Sequence, residues 1–394
     1  MEIAVAGHIC LDLIPAFEGR EGVAQRLLEP GKLVEVGTAL RATGGAVSNT
    51  GLALHRLGVP VSLLGKVGDD LFGEEILRLL NALDPRLADK MIVVGGETTS
   101  YTVVISPPGV DRTLLHCPGA NDTFRYGDVD FESIAGAKIF HFGYPPIMKH
   151  FYWDGGLELR TLLKRAASAG MVTSLDMALP DPESVAGRAD WRSVLERCAS
   201  VVDFFMPSLE ELLFMVDVEF FDQLSARHGD LLDAIDGHLL NRLAGQVLEW
   251  GGAVVGIKLG DKGLYLRTTG DRKRLKQLTG RLGLDAERWT GRELLAPCFE
   301  ADVVGTTGSG DCTIAGFLAA LVGEAAAKAS PEAAITLATA VGACSVEQPD
   351  ATSGVPAIDE VQARLDRGWP RLDRAISLDG WRPADESGIF SAGR

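Results

Sequence analysis

No Cys-x-x-Cys pair occurs anywhere in the 394 residues. The six cysteines, Cys10, Cys117, Cys198, Cys298, Cys312 and Cys344, are scattered. Neither a zinc framework nor a redox pair is visible, and a reduced, cytoplasmic setting is the expectation. Long apolar runs are also missing: none approaches the ~18 residues a membrane-spanning helix needs. The opening MEIAVAGHICLDLIPAF lacks a basic n-region and carries Glu2, His8 and Asp12, which suits a buried strand and not a signal peptide. Positive charge is short, with 38 Lys and Arg against 54 Asp and Glu and a net charge of −16. A polyanion would be repelled at long range, so nucleic acid is excluded as an expected partner. A small phosphorylated ligand is not excluded, because local N–H groups and metal hold it. Aromatics are sparse at 7% while glycine is plentiful at 46 residues, a balance common among α/β proteins.

What is present is a rhythm. EIAVAG, VSLLGKVG, AKIFHFG, MVTSLDM, VVDFFMP and GAVVGIKLG read as strands buried on both faces. Helical patterns separate them: NTGLALHRLG, GEEILRLLNAL, LELRTLLKRAASAG, RSVLERCAS, SLEELLFMV and LLNRLAGQVLEWGG. The alternation predicts a doubly wound, mostly parallel α/β sheet with helices on both faces. Residues 13–42 and 98–118 break the rhythm with turn-rich, hairpin-like sequence, and are expected to form a small β-sheet lid that excludes water. The large domain would then comprise 1–12, 43–97 and 119–378. Residues 269–293, with the basic run Arg272, Lys273, Arg274 and Lys276, read as a solvated insertion, and 379–394 as an extended or partly disordered tail.

One stretch carries chemistry: VVGTTGSGDCTIAGFLAAL, residues 303–321. Gly308 and Gly310 let the backbone turn sharply and approach a ligand. Ile314, Phe317, Leu318 and Leu321 recur at helical spacing just beyond. A helix N-terminus suits phosphate, through unpaired N–H groups and a partial positive charge. No Lys-Ser or Lys-Thr follows the last glycine, so this is not a Walker loop, and its glycines lack the G-x-G-x-x-G spacing. Asp311 would repel a phosphate. It fits either as an N-terminal cap or as an acid that takes a proton from a nucleophile while N–H groups hold the transferring phosphoryl group.

Further clusters lie on the same chain. GHICLD (7–12) is read as the end of the first strand, with Asp12 able to accept hydrogen bonds from hydroxyls. TGGAVSNTGLALHRLG (43–58) sets Gly44, Gly45 and Asn49 at a turn into a helix. GKVGDDLFGEEIL (65–77) reads as strand, turn and helix start, and MPSLEEL (206–212) puts Glu210 and Glu211 beyond a strand end. With GAN at 119–121, KLG..G at 258–263 and TTGSGD, these motifs stand in the order found in the ribokinase-like, PfkB-type carbohydrate kinases. The chain resembles that family from about residue 3 to 357, with 269–293 as the main gap.

The resemblance implies transfer of the ATP γ-phosphoryl group to a sugar hydroxyl. By it, Asp311 is the catalytic base, and Gly308, Ser309 and Gly310 with the N–H of Asp311 form an anion hole. Asp12, Gly44, Gly45 and Asn49 would bind the sugar, with Arg112 on the lid reaching an acidic or phosphorylated substrate. Lys258, Gly260, Gly263, Thr306, Thr307, Thr339 and Gly342 would line the nucleotide side, and Glu211 would hold water-bound Mg²⁺. A strand-end cap competes for Asp12, turn roles for Gly44 and Gly45 and a helix cap for Asn49, as does a solvated role for Arg112 and a structural one for Lys258.

Several positions depart from the family pattern. Gly305 replaces an Asp that commonly helps hold a monovalent cation, which puts K⁺ activation in doubt. Ser208 replaces the Asn of N-x-x-E, and Thr339 a frequent Asn. Gly143 and Tyr144 stand where a sugar-binding acid is expected. A nucleoside kinase, with Phe142 and Tyr144 in an apolar acceptor pocket, and a sugar-binding regulatory protein without catalysis remain as alternatives. The family's habit of pairing lid strands between subunits implies a homodimer.

Overall fold

The computed structural model describes residues 1–17, 29–107, 112–227, 231–373, 376–384 and 387–393. The parts of the expected lid at 18–28 and 108–111, and of the tail at 385–386 and 394, lie outside the described residues.

Six of the apolar runs form the parallel body of one sheet. In chain order these strands are β1 (Ile3–Gly7), β4 (Val61–Leu64), β9 (Ile139–Gly143), β10 (Val172–Asp176), β11 (Phe204–Phe205) and β12 (Val254–Lys258). They lie in the order β4-β1-β9-β10-β11-β12. All five residues of β1, β9 and β10 are buried. Ile3 and Val5 enter one hydrophobic cluster, whereas Ala4 and Ala6 enter the other. That is the alternation a strand imposes when helices cover both faces. Beyond β12 the sheet continues antiparallel through β13 (Leu264–Thr268), β14 (Glu293–Ala296), β16 (Phe390–Ser391) and β15 (Arg382–Pro383).

A second sheet of four strands has the order β3-β2-β7-β8. It is built from β2 (Cys10–Pro15), β3 (Ala39–Gly44), β7 (Tyr101–Ile105) and β8 (Thr113–Cys117). The connection from β1 into it is clamped by Asn121 of the GAN motif. Asn121 Nδ2 donates to Ile9 O at 2.9 Å, and its Oδ1 accepts from Ile9 N at 3.2 Å.

Three sequence readings need correction. Asp12 does not end the first strand: β1 stops at Gly7, where a Cβ would lie 2.3 Å from Gly143 O, and Asp12 sits within β2 of the small sheet. VSLLGKVG is two strands, because Gly65 is squeezed between Ile9 and Met91. The second, β5 (Lys66–Gly68), leaves the main sheet to pair with β6 (Ile92–Val94). The basic run at 272–276 opens a helix, Arg272–Leu282, that buries Leu275, Leu278, Thr279 and Leu282, so it is no solvated excursion. Arg274 reaches inward, donating from Nη1 to Asp203 Oδ1 at 2.5 Å and from Nη2 to Val202 O at 2.9 Å. The described tail residues pair at the edge of the main sheet through β15 and β16.

Candidate active site

The loop after Thr307 turns through Gly308 in the left-handed region (φ 72°) and runs directly into the helix Ser309–Ala319. A Cβ on Gly308 would meet that of Ala351 at 2.4 Å, so glycine is required by both conformation and space. The helix is apolar almost all round because it is buried: Ile314, Phe317 and Leu318 are fully covered. It packs on the helix Pro331–Ser345, where Gly316 and Gly342 allow close approach. A Cβ at Gly342 would sit 2.4 Å from Thr313 Oγ1.

Asp311, 2% exposed, points toward the helix Ala46–Arg56. Its Oδ2 accepts from Asn49 Nδ2 at 3.0 Å and from the Tyr144 hydroxyl at 2.7 Å. Its Oδ1 accepts from Thr50 Oγ1 at 3.3 Å. Asp311 is therefore no N-terminal cap, since Gly308 holds that position without a side-chain bond. Asn49 does not cap its helix either. Gly45, at φ 85°, is the N-cap, and a Cβ there would meet His8 Nδ1 at 2.5 Å.

Around Asn49 lie other residues expected from the sequence to bind the sugar. Gly44 leaves the space that Asp12 fills, for a Cβ would come within 2.3 Å of Asp12 Oδ2. Burial pushes the Asp12 carboxyl up to about 6, against hydrogen bonds from Cys10 and Thr102 and the charge of Arg112. His8, just past β1, meets His116 of β8 with the two Nε2 atoms 3.3 Å apart. Burial holds both imidazoles below their ordinary value. Two buried polar atoms in this region, His8 Nδ1 and Asn49 Oδ1, have no protein partner, and a buried polar group without one is costly. Phe142 takes no part: it is fully buried and packs on Phe124 and Phe151 in the core.

On the other side of the loop is a cavity of about 210 Å³, lined by Lys258, Gly260, Gly263, Thr306, Ser309, Gly310, Thr339 and Gly342 among others. Thr307 is not part of its wall. Thr339 Oγ1 donates to Ile335 O at 3.0 Å, so its hydroxyl is turned to its own helix. Lys258, at the end of β12, donates to Asp176 Oδ1 at 2.7 Å, and a Cβ on Gly310 would lie 3.4 Å from Lys258 Nζ. Burial opposes the ammonium, but Asp176, Glu211 and Asp311 outweigh it and hold Lys258 above its ordinary value, charged. Asp176 escaped sequence notice, although an acid ending the apolar run MVTSLDM was the available signal.

Arg112 bears on Asp12 through its charge. Its Nη1 donates to Thr306 Oγ1 at 3.2 Å and Thr307 Oγ1 at 3.0 Å, joining the small sheet to the glycine loop. Ser208 and Glu211 form a reciprocal cap on the helix Leu209–Val216. Glu211 Oε2 accepts from Ser208 N at 2.6 Å, and Ser208 Oγ accepts from Glu211 N at 3.2 Å. The other Glu211 oxygen has no such duty. Among the described residues no group of three His, Cys, Asp or Glu side chains is placed to cage a metal ion. Nor is any described helix long and apolar enough to cross a membrane.

The Asp311 carboxylate thus lies between the polar groups of the helix Ala46–Arg56 and the loop that borders the cavity with Lys258. Comparison with known proteins identifies the class. The model of the pfkB family carbohydrate kinases matches residues 1–358. The chain belongs to that family and is a carbohydrate kinase, a phosphotransferase with an alcohol acceptor. It is 24% identical over 367 residues to a probable chloroplastic fructokinase-6 of Arabidopsis thaliana, covering 91% of this chain and 81% of the relative. Its fold is shared with a fructokinase from Xylella fastidiosa with bound ATP, at TM-score 0.65 and 20% identity over 93% of this chain and 98% of that one. A putative ribokinase II from E. coli in complex with ATP and Mg²⁺ superposes at TM-score 0.66 and 18% identity, over 93% and 99%.

Proposed function

We propose that the chain transfers the γ-phosphoryl group of ATP to a hydroxyl of a small sugar, with Asp311 as general base and the N–H groups of residues 308–311 as the anion hole. The observation that carries this reading is the position of Asp311. It touches Asn49 and Thr50 on the polar side, while its helix neighbour Gly310 faces the cavity on the other.

A sugar seated against Asp12 and Asn49 would present its hydroxyl to Asp311. The proton passes to the carboxylate as the sugar oxygen bonds to the γ-phosphorus and the bond to the ADP oxygen breaks. Charge developing on the phosphoryl oxygens meets the amides of the loop and Lys258 Nζ. Positioning and charge stabilisation of this kind are most of what phosphoryl transfer requires. Bound Mg²⁺ would neutralise phosphate charge, and the uncommitted oxygen of Glu211 fits contact with its water shell. Direct caging by the protein does not fit, since the described acids are not grouped for it. No monovalent cation is included. A side chain at Gly305 would press on the carbonyls of Gln348 and Pro349 at 3.1 and 3.0 Å, leaving little room for an acid there.

The test is ADP release by the purified chain with ATP, Mg²⁺ and a panel of ketoses, aldoses, sugar acids, polyols and nucleosides. Turnover on at least one sugar, exceeding that on nucleosides, is the expected outcome. Thermal shifts with sugars but no turnover on any acceptor would overturn the reading in favour of a binding-only protein.

A further inference from the structure

Tyr144 is the one non-glycine among the described residues with positive φ, at φ 67° and ψ 41°. It follows β9 directly, at the carboxyl ends of the parallel strands. Neighbours on both sides fix this turn. A Cβ on Gly143 would strike that of Ala46 at 2.1 Å, and the buried Pro145 and Pro146 follow. The Tyr144 N–H reaches Asp176 O at 3.3 Å. The conformation sends the phenol back across the strand ends, its ring centroid 6.0 Å from that of His8, to place the hydroxyl 2.7 Å from Asp311 Oδ2. A tyrosine held in a sparsely populated conformation so that it touches one carboxylate calls for a functional reason.

With Asn49 and Thr50 also donating, Oδ2 has both its lone pairs filled, Oδ1 has one filled, and only 2% of the residue's surface is open. Asn49 Oδ1 and His8 Nδ1 are buried without a partner among the described residues. We infer that Tyr144 guards the base: without an acceptor its hydroxyl fills the place on Asp311 that a substrate hydroxyl must take, so that water is not activated there. The inference rests on Asp311 being the base.

The reaction being prevented is hydrolysis. In it a water gives its proton to Asp311, its oxygen bonds to the γ-phosphorus, and the bond to ADP breaks, yielding ADP and inorganic phosphate. A sugar displaces the phenol because it brings several hydroxyls at once, including ones that pair with Asn49 Oδ1. A lone water cannot match that. Burial and the neighbouring Asp311 raise the phenol well above its ordinary value, so it stays a donor.

The experiment compares ADP release by wild type and Tyr144→Phe with ATP and Mg²⁺, first without acceptor and then with a saturating sugar. The ratio of acceptor-free to acceptor-dependent release should rise by about tenfold, the worth of one hydrogen bond. Tyr144→Asn, which tolerates the left-handed turn and is too short to reach the base, should raise the ratio likewise and covers a folding failure of the first variant. In the double variant with Asp311→Asn the acceptor-free release should disappear. An unchanged ratio, with both rates falling together as a merely structural role would give, overturns the inference. If Asp311→Asn alone still phosphorylates sugar, it is the base assignment that fails, and that arm reports it separately.

Discussion

Asp12 occupies the space that Gly44 leaves open, and burial lifts its carboxyl to about 6. In the proposed sugar site it is ionised above that value and able to accept from sugar hydroxyls. As pH falls through it, a proton takes one acceptor away. The Michaelis constant for the sugar should therefore rise several-fold between about pH 7.5 and about pH 5. Asp12→Asn should give a high, pH-independent value. Among the facing groups, His8 and His116 are held below their ordinary value by burial, and Cys10 is pushed well above its own. A Michaelis constant flat with pH in the unaltered protein would remove Asp12 from the sugar site.

At this scale, residues whose roles follow from backbone need were legible: Gly308, Gly45 and Gly44 stand where a turn or a neighbour demands glycine. Tyr144 was legible only as a departure, because its meaning depends on a left-handed φ and on a partner 167 positions away. Asp176 was missed for the same reason, its partner Lys258 arriving from another strand.

Among the elements, helices were easier to recognise than the ways they dock. Asp70, Asp190, Ser208 and Asp236 each cap a helix whose apolar spacing had marked it. The helix Arg272–Leu282 was hidden by its charge, since Arg272, Lys273, Arg274 and Lys276 crowd its first turns. Composition alone says solvent; three-dimensional position says otherwise, for Arg274 is only 17% exposed and its partner Asp203 only 3%. Asp203 also accepts from Thr173 N at 2.9 Å, so the arginine pins the junction of β10 and β11 to this helix. Arg274→Ala would leave a buried carboxylate without its main cation. A loss of about 3 kcal/mol in unfolding free energy is expected, measured by denaturant titration, where a loss below ~0.5 kcal/mol would mean the pair is solvent-screened after all.

Over the whole molecule, strand–helix alternation anticipated the doubly wound sheet, and its interruptions a smaller second sheet, because both are set by local hydrophobic period. The connection between them was not legible. Ile9, held by Asn121, passes the chain from the main sheet to the small one, and Arg112 ties the small sheet to the glycine loop. On the proposed reading the sugar contacts come from the small sheet and the helix Ala46–Arg56, and the phosphate cradle from the start of the helix Ser309–Ala319, so the chemistry depends on their meeting at Asp311. The most direct measurement of that dependence is paired: ATP affinity by calorimetry and phosphoryl transfer by ADP release, in wild type and Asp311→Asn. A general base predicts ATP binding within a factor of about two and turnover reduced by about 10²–10⁴. Turnover above about a tenth of the wild-type rate, with ATP binding intact, would contradict it.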